Sequence, residues 1–323
     1  MPENVEQIKG TSLWRDAWKR LLRNKLAVFG MLVIGVMVVF VSVGPRVIYW
    51  ATGLTADFIP SGEGGGELVH SFPPSMLHPM GTDDQGRDLL ARVLQGGRIS
   101  LMVGIISTIV SLIVGVSWGS IAGYLGGRID NLMMRIVDII YAIPYILIVI
   151  VLLSVFGGPN TPAFITFLSE TVGGAGNQGL SQIFLLFFAL GLVSWLTMAR
   201  VVRGQILSLK NEEFVLAAKA GGVSTFGIIF RHLVPNALGP VIVYATLTVP
   251  SVMLTEAFLS FLGLGVQAPY ASWGSLASDG IKNISIFPWQ LIFPGVTMAL
   301  TLFSLNFLGD GLRDALDPQT RKF

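Results

Sequence analysis

Asn211–Pro235 reads NEEFVLAAKAGGVSTFGIIFRHLVP, a polar and charged island between two strongly apolar runs. Its local signals are helical. Asn211 is placed to cap, Glu212 and Glu213 fall in a first turn, and Lys219 in a last one, each complementing the helix dipole. Gly221 and Gly222 supply a residue able to take positive φ and stop that helix. Ser224 and Thr225 can cap a second short helix, Phe226–Leu233, which Pro235 is expected to end. The stretch predicts a helix–glycine–helix element held against an apolar body, not a slack connector.

The rest of the chain supplies that body. It has 323 residues, 52% of them apolar and only 12% charged, with a mean hydropathy of +0.70. Soluble domains carry about 25% charged residues, so most of this chain faces lipid or other apolar helices. A net charge of +2 gives no case for nucleic-acid binding. The absence of Cys excludes disulfides and thiolate metal sites. His70, His78 and His232 are too scattered to argue a metal site. No G-x-x-x-x-G-K-[ST] cradle, H-E-x-x-H helix or nucleophile elbow occurs, so no catalytic residue is expected and any ATP must be bound by another polypeptide.

Outward from the island, the apolar runs divide the chain. Residues 1–25 form an amphipathic N-terminal segment with Trp14 and Trp18 four apart, suited to a membrane interface. Residues 26–48 hold the first span, with Leu26–Val43 apolar and a stop expected at Gly44-Pro45-Arg46; the run is read as a retained anchor. Residues 49–98 form an extracytoplasmic segment. In it Thr82 and Gln85 have capping-box spacing, and a short helix to about Leu94 is expected. Residues 99–312 hold five more spans, near Ile99–Tyr124, Leu132–Phe156, Leu180–Thr197, Leu238–Leu262 and Trp289–Leu308, with the polar loop at 208–236. Residues 313–323 form a tail. The fold class is an all-α polytopic membrane protein with six transmembrane helices.

Two features inside the spans stand out. Ser107, Ser111, Gly115, Gly119 and Gly123 recur every four residues, which puts five small residues on one helix face for close packing against another helix, of this chain or of a partner. Asp138 and Glu256 are deep charges, each a candidate for the transport pathway. The bland reading of Asp138 is a structural ion pair with Arg135, three residues away. Glu256 is read equally as facing a water-filled path or as capping a neighbouring helix end. Pro144 is expected to bend the third span.

With six spans both termini share a side. Placing residues 1–25 inside puts 16 of the 21 Lys and Arg on that side and leaves Arg46, Arg87, Arg92, Arg98 and Lys282 outside. The positive-inside rule then places both termini and the Asn211–Pro235 loop in the cytoplasm.

The same loop resembles that of bacterial ABC importer permeases, whose pattern is E-A-A, three residues, G, nine residues, I-x-L-P. Ala217, Ala218, Gly222 and Pro235 match; Leu216, His232 and Val234 depart. The variant F-V-L-A-A-K-A-x-G with R-H-x-x-P-N looks like the dipeptide and oligopeptide (peptide/nickel) subfamily. So do His78–Asp88, Thr255–Gly265 and the Asn306–Pro318 tail. The resemblance implies the type I importer permease fold in the bacterial inner membrane. It implies a docking loop for the ATPase around Ala217, Ala218, Gly222, Ser224, Arg231 and Pro235. It implies a second homologous permease, two ATP-binding subunits that carry ATP and Mg, and an extracytoplasmic substrate-binding protein. No cofactor is expected in this chain. Peptides are the implied solute; nickel, glutathione or another small solute is the alternative. A passive channel or the membrane anchor of a complex is the alternative of a different class.

Overall fold

The computed structural model describes residues 13–59, 71–174 and 178–316. Lys9 of the leader, His70, and Pro318, Arg321 and Lys322 of the tail lie outside the described residues. Twelve α-helices follow in order, with one π-helical turn: α1 Leu13–Arg23, α2 Lys25–Thr52, α3 Leu89–Leu125, α4 Gly127–Tyr141, α5 Tyr145–Phe156, α6 Ala163–Gly173, α7 Gln178–Leu209, α8 Glu213–Ala220, α9 Thr225–Gly227, the π turn Ile228–Leu233, α10 Val234–Phe261, α11 Trp273–Lys282 and α12 Trp289–Leu316. Among the described residues, five continuous helical stretches are long and apolar enough to cross a bilayer, and α4 and α5 taken together, bent at 85°, make a sixth of that length and composition.

Several expected boundaries move, each for a physical reason. The first span does not stop at Gly44-Pro45-Arg46; α2 runs through Pro45 to Thr52. A proline removes one N–H, which spanning helices tolerate where neighbours repack around the freed carbonyl. Here Leu94 of α3 packs over Gly44. The expected short helix and the second span are one helix, because α3 is 37 residues long. At 1.5 Å per residue it reaches ~55 Å, well beyond the hydrocarbon core. Its N-cap is Asp88, whose Oδ1 accepts from Ala91 N at 2.7 Å. The Thr82–Gln85 capping box therefore does not form. Thr82 Oγ1 instead accepts from Phe72 N at 2.6 Å.

The bend at Pro144 is a full break. α4 and α5 meet at 85°. Ile143 precedes a proline and is steered out of the α region, and Pro144 has no N–H to continue the ladder. α5 restarts with Pro144 at its N-cap. In contrast, the helix expected to end at Pro235 continues. The π turn gives Val234 N a bond to Ile229 O, five residues back. The wider turn admits Pro235 in the first turn of α10, and Asn236 Nδ2 donates to His232 O at 2.6 Å. Thr225–Phe261 is thus one helical rod.

The small-residue face of α3 packs on α7 of the same chain. Ser107 Oγ donates to Phe187 O at 2.9 Å. A methyl group on Gly115 would meet the Met198 side chain, and one on Gly119 the Ala199 carbonyl. The bundle has two polar ends. One end carries α8 and the C-termini of α3, α7 and α12; Lys210 Nζ donates there to Gly123 O at 3.3 Å. The opposite end carries residues 71–88 and α11.

Candidate functional site

At the first end, α8 stops in a Schellman turn. Val223 N bonds to Ala218 O at 3.1 Å and Gly222 N to Lys219 O at 3.0 Å. Such a turn needs its C′ residue in the left-handed region. Gly222 is that residue, with φ +75°, while Gly221 keeps φ −75°. Ser224 Oγ then accepts from Gly227 N at 3.2 Å and starts the next helix. Asn211 is not the cap: α8 begins at Glu213 after Glu212, and no side chain caps it.

The element is anchored on one face and bare on the other. Val215, Ile228 and Leu233 are buried with Met198, Val202 and Ile206 of α7. Outside, Ala217, Gly222, Ser224, Arg231 and Pro235 are all exposed, and Ala218 is half-buried. Phe226 is 70% exposed and Leu216 52%. Those two apolar side chains sit amid the expected docking residues. Reading the loop by its family pattern passed over Phe226, although an aromatic between a capping pair and a glycine was visible in the sequence.

Behind this end, a cavity of about 610 Å³ opens at the α4–α5 break. The elbow Tyr141–Tyr145 forms one wall, and α7 and α10 form the others. None of its lining residues is charged. The hydroxyl-bearing side chains of Tyr145, Ser194, Thr197, Tyr244, Thr248 and Thr255 line it. Phenol and alcohol groups from α5, α7 and α10 thus surround a neutral space that can offer lone pairs and hydroxyl donors to a polar solute. The signal for it was the proline elbow; the hydroxyls were missed because they lie on three separate helices.

Neither deep charge lines this cavity. Asp138 does not pair with Arg135. Its Oδ1 accepts from Arg200 Nη2 of α7 at 2.7 Å, and Arg200 lies over the Tyr141 ring at 4.2 Å. Asp138 faces the neighbouring helix, so its partner comes from there and Arg135 stays exposed. A second pair, Arg203 with Asp130, was not anticipated. Glu256 is 1% exposed, and its Oε1 accepts from Ser260 at 2.6 Å and Ser272 at 2.7 Å. Ser272 in turn forms a capping box with Ser275 at the start of α11. Glu256 therefore braces a helix end and lies away from this cavity. Between the expected spans Leu238–Leu262 and Trp289–Leu308 lies a further helix, α11. Its signals were Ser272-x-x-Ser275 and the apolar spacing of Trp273, Leu276 and Gly280.

The opposite end is a stiff polar platform. Asp83 accepts from Gln85 N and Arg87 N, both at 2.9 Å, and pairs with Arg87 at 2.7 Å and with Arg92. Burial pushes the Asp83 carboxyl up, but the Arg92 and Arg87 guanidinium groups outweigh it and hold the group below its ordinary value. His78 Nδ1 lies 2.8 Å from Asp88. Asn283 donates to Asp84 at 2.7 Å, joining this segment to the end of α11. Trp273 is fully buried and donates from Nε1 to Val93 O at 2.8 Å.

Comparison with known proteins places this arrangement. Residues 115–322 match the family of binding-protein-dependent transport system inner membrane components. Residues 12–60 match the N-terminal TM domain of oligopeptide transport permease C. The chain is 45% identical to the oligopeptide transport system permease protein OppC of Haemophilus influenzae, over 98% of this chain and 91% of that protein. It is 44% identical to OppC of Bacillus subtilis, over 97% and 92%. With the dipeptide transport system permease protein DppC of Bacillus subtilis it shares 42%, over 98% and 90%. Among solved structures, the MetNI methionine ABC transporter in an inward-facing conformation aligns with 70% of this chain and 96% of that one, at 15% identity and a TM-score of 0.49. The chain belongs to the binding-protein-dependent transport system inner membrane components.

Proposed function

We propose that the chain is the permease subunit of an ATP-driven importer of dipeptides or oligopeptides. The observation that carries this is its similarity, over 98% of its length, to permeases named for oligopeptide transport. The geometry is consistent with that role. The bare face around Gly222, Leu216 and Phe226 is the docking surface for an ATP-binding subunit. The neutral, hydroxyl-lined cavity is this subunit's share of the passage. It places no fixed charge beside the solute, which suits peptides of either sign. The rest of the passage comes from a second, homologous permease.

In this assembly ATP and Mg bind two separate ATPase subunits, and this chain carries neither cofactor nor catalytic residue. The charge split supports both termini and the α8 end lying in the cytoplasm, with the Asp83 platform facing an extracytoplasmic binding protein in a bacterial inner membrane. ATP-driven closure of the docked subunits moves α8, and the bundles rock to switch access.

Uptake of labelled tri- and tetrapeptides into proteoliposomes holding the complete importer tests the reading. ATP-dependent accumulation that needs the binding protein is expected. Accumulation of nickel or glutathione but no peptide would replace the solute. Uptake by this chain alone without ATP would replace the class.

A further inference from the structure

The transport reading leaves α1 unused, and α1 is built in three stripes. Ala17 and Leu21 are buried against Ala27 and Ala315, with Leu308 and Leu312 beside them. Trp18 and Leu22, four residues apart, are exposed by 56% and 50%. Arg15, Lys19 and Arg23, again four apart, are exposed as well. At about 100° per residue the Trp18–Leu22 stripe lies between the buried stripe and the basic row. The one acidic residue of α1, Asp16, lies beyond the far edge of that row. The order around the helix is therefore core, exposed apolar, basic.

Such an order fits no water-facing helix. The apolar stripe also continues past the bend at Asn24. Leu26 and Phe29 of α2 are exposed by 56% and 47%, at the start of a spanning helix whose outward residues stay apolar through Phe40. The exposed apolar surface of α1 is thus continuous with the lipid-facing surface of α2. The basic row sits where that span begins, at headgroup depth. Lys and Arg beside Trp and Leu are the composition that holds a helix in an interface and attracts anionic lipid.

We propose that α1 is a lipid-binding element in which Arg15, Lys19 and Arg23 hold anionic phospholipid headgroups while Trp18 and Leu22 enter the acyl boundary. The opposite stripe bolts the helix to the last span. A methyl group on Gly311 of α12 would meet Ala27 and lie 3.2 Å from Leu21, so the contact is close. Headgroups held by α1 therefore steady the end of α12.

The chain has no cysteine, so Leu22→Cys accepts a single environment-sensitive fluorophore. The full chain is placed in nanodiscs of phosphatidylcholine alone, or mixed with phosphatidylglycerol at roughly 2:1. The probe should emit as from an apolar site and be quenched by lipids brominated near the headgroup. Spin-labelled phosphatidylglycerol should associate about threefold more than spin-labelled phosphatidylcholine. The triple variant Arg15→Gln, Lys19→Gln, Arg23→Gln should bring that ratio close to one without loss of folded protein, since all three side chains are exposed. A water-like, unquenched probe overturns the proposal. So does a lipid ratio near one in the wild-type chain, or a ratio the triple variant leaves unchanged. A probe shielded only on addition of the ATP-binding subunit would assign the surface to that protein and overturn it too.

Discussion

Arg203 grips Asp130 with both prongs of its guanidinium, Nε to Oδ1 at 2.5 Å and Nη2 to Oδ2 at 2.6 Å, across 73 residues of sequence. The pair fastens α4 to α7, about one turn along α7 and two along α4 from the Arg200–Asp138 contact. Asp130 is buried, so removing its partner strands a charge. Arg203→Gln is expected to destabilise the chain by about 2 kcal/mol, and Asp130→Asn added to it to recover part of the loss. Thermal unfolding in detergent of the single and double variants measures the coupling; strictly additive losses would show that the pair does not interact.

Gly119 sits under the Ala199 carbonyl with no room for a side chain. Gly119→Val must push α3 from α7, an overpacking that costs about 1–3 kcal/mol. Gly35→Val, where nothing lies within 4 Å, is the matched control. Detergent-solubilised melting temperatures should fall for the first and hold for the second.

At Gly222 the strain is conformational alone, since nothing lies within 4 Å of an added Cβ. Gly222→Val forces a branched residue to φ +75° or unmakes the turn, at about 1–2 kcal/mol. That leaves the bundle folded and re-aims α8. Normal insertion is expected, with pull-down of the ATP-binding subunit and peptide uptake both reduced at least severalfold. Gly221→Ala, at φ −75°, should change neither. Full uptake in Gly222→Val would reduce the loop to a connector.

Glu256 accepts from two hydroxyls, and an amide oxygen can do the same. Glu256→Gln is expected to keep α11 seated, whereas Glu256→Ala should cost about 2–3 kcal/mol and loosen residues 272–282. Hydrogen exchange over that segment distinguishes them. Equal exchange in both variants would remove Glu256 from its bracing role.

Asp83 has a depressed carboxyl value in the folded chain. Its contribution to stability is present above the ordinary carboxylate value of 3.8 and is lost as pH falls through the lower folded value. Exchange protection of residues 78–92 should therefore hold from neutral pH to about 4 and drop below it. Asp83→Asn should be less protected at neutral pH and lack the acid step, because Arg92 is left without its counter-charge.

The parts of this fold legible in the sequence are those written in short-range pattern. Apolar runs set the spans, Pro144 marked the break, and the four-residue recurrence from Ser107 to Gly123 marked a packing face. The partner of that face, α7, was not legible, since its facing surface mixes Gly191 and Ala199 with the bulky Met198, Val202 and Ile206. Spacing on one helix paired Asp138 with Arg135, but the field that matters comes from Arg200, 62 residues away. At the candidate site, the glycine turn could be read because one backbone angle requires it. The neutral cavity could not, because its walls come from three helices that meet only in the folded bundle. Nor does any local cue announce that a π turn would carry the chain through Pro235.

That continuity has a mechanical meaning. From Thr225 to Phe261 the chain is one continuous helical stretch of 37 residues, ~55 Å long at 1.5 Å per residue, with Pro240 and Pro250 inside it. Its near tip holds the Ser224 cap beside α8, and its far tip holds Glu256, clasped to Ser272, the N-cap of α11. A tilt of about 10° over that length sweeps the far tip through roughly 10 Å, dragging α11 and the Asn283–Asp84 tie with it. The two ends of the bundle are thereby geared to each other through a single beam, which faces the proline elbow of α4 and α5 across the cavity.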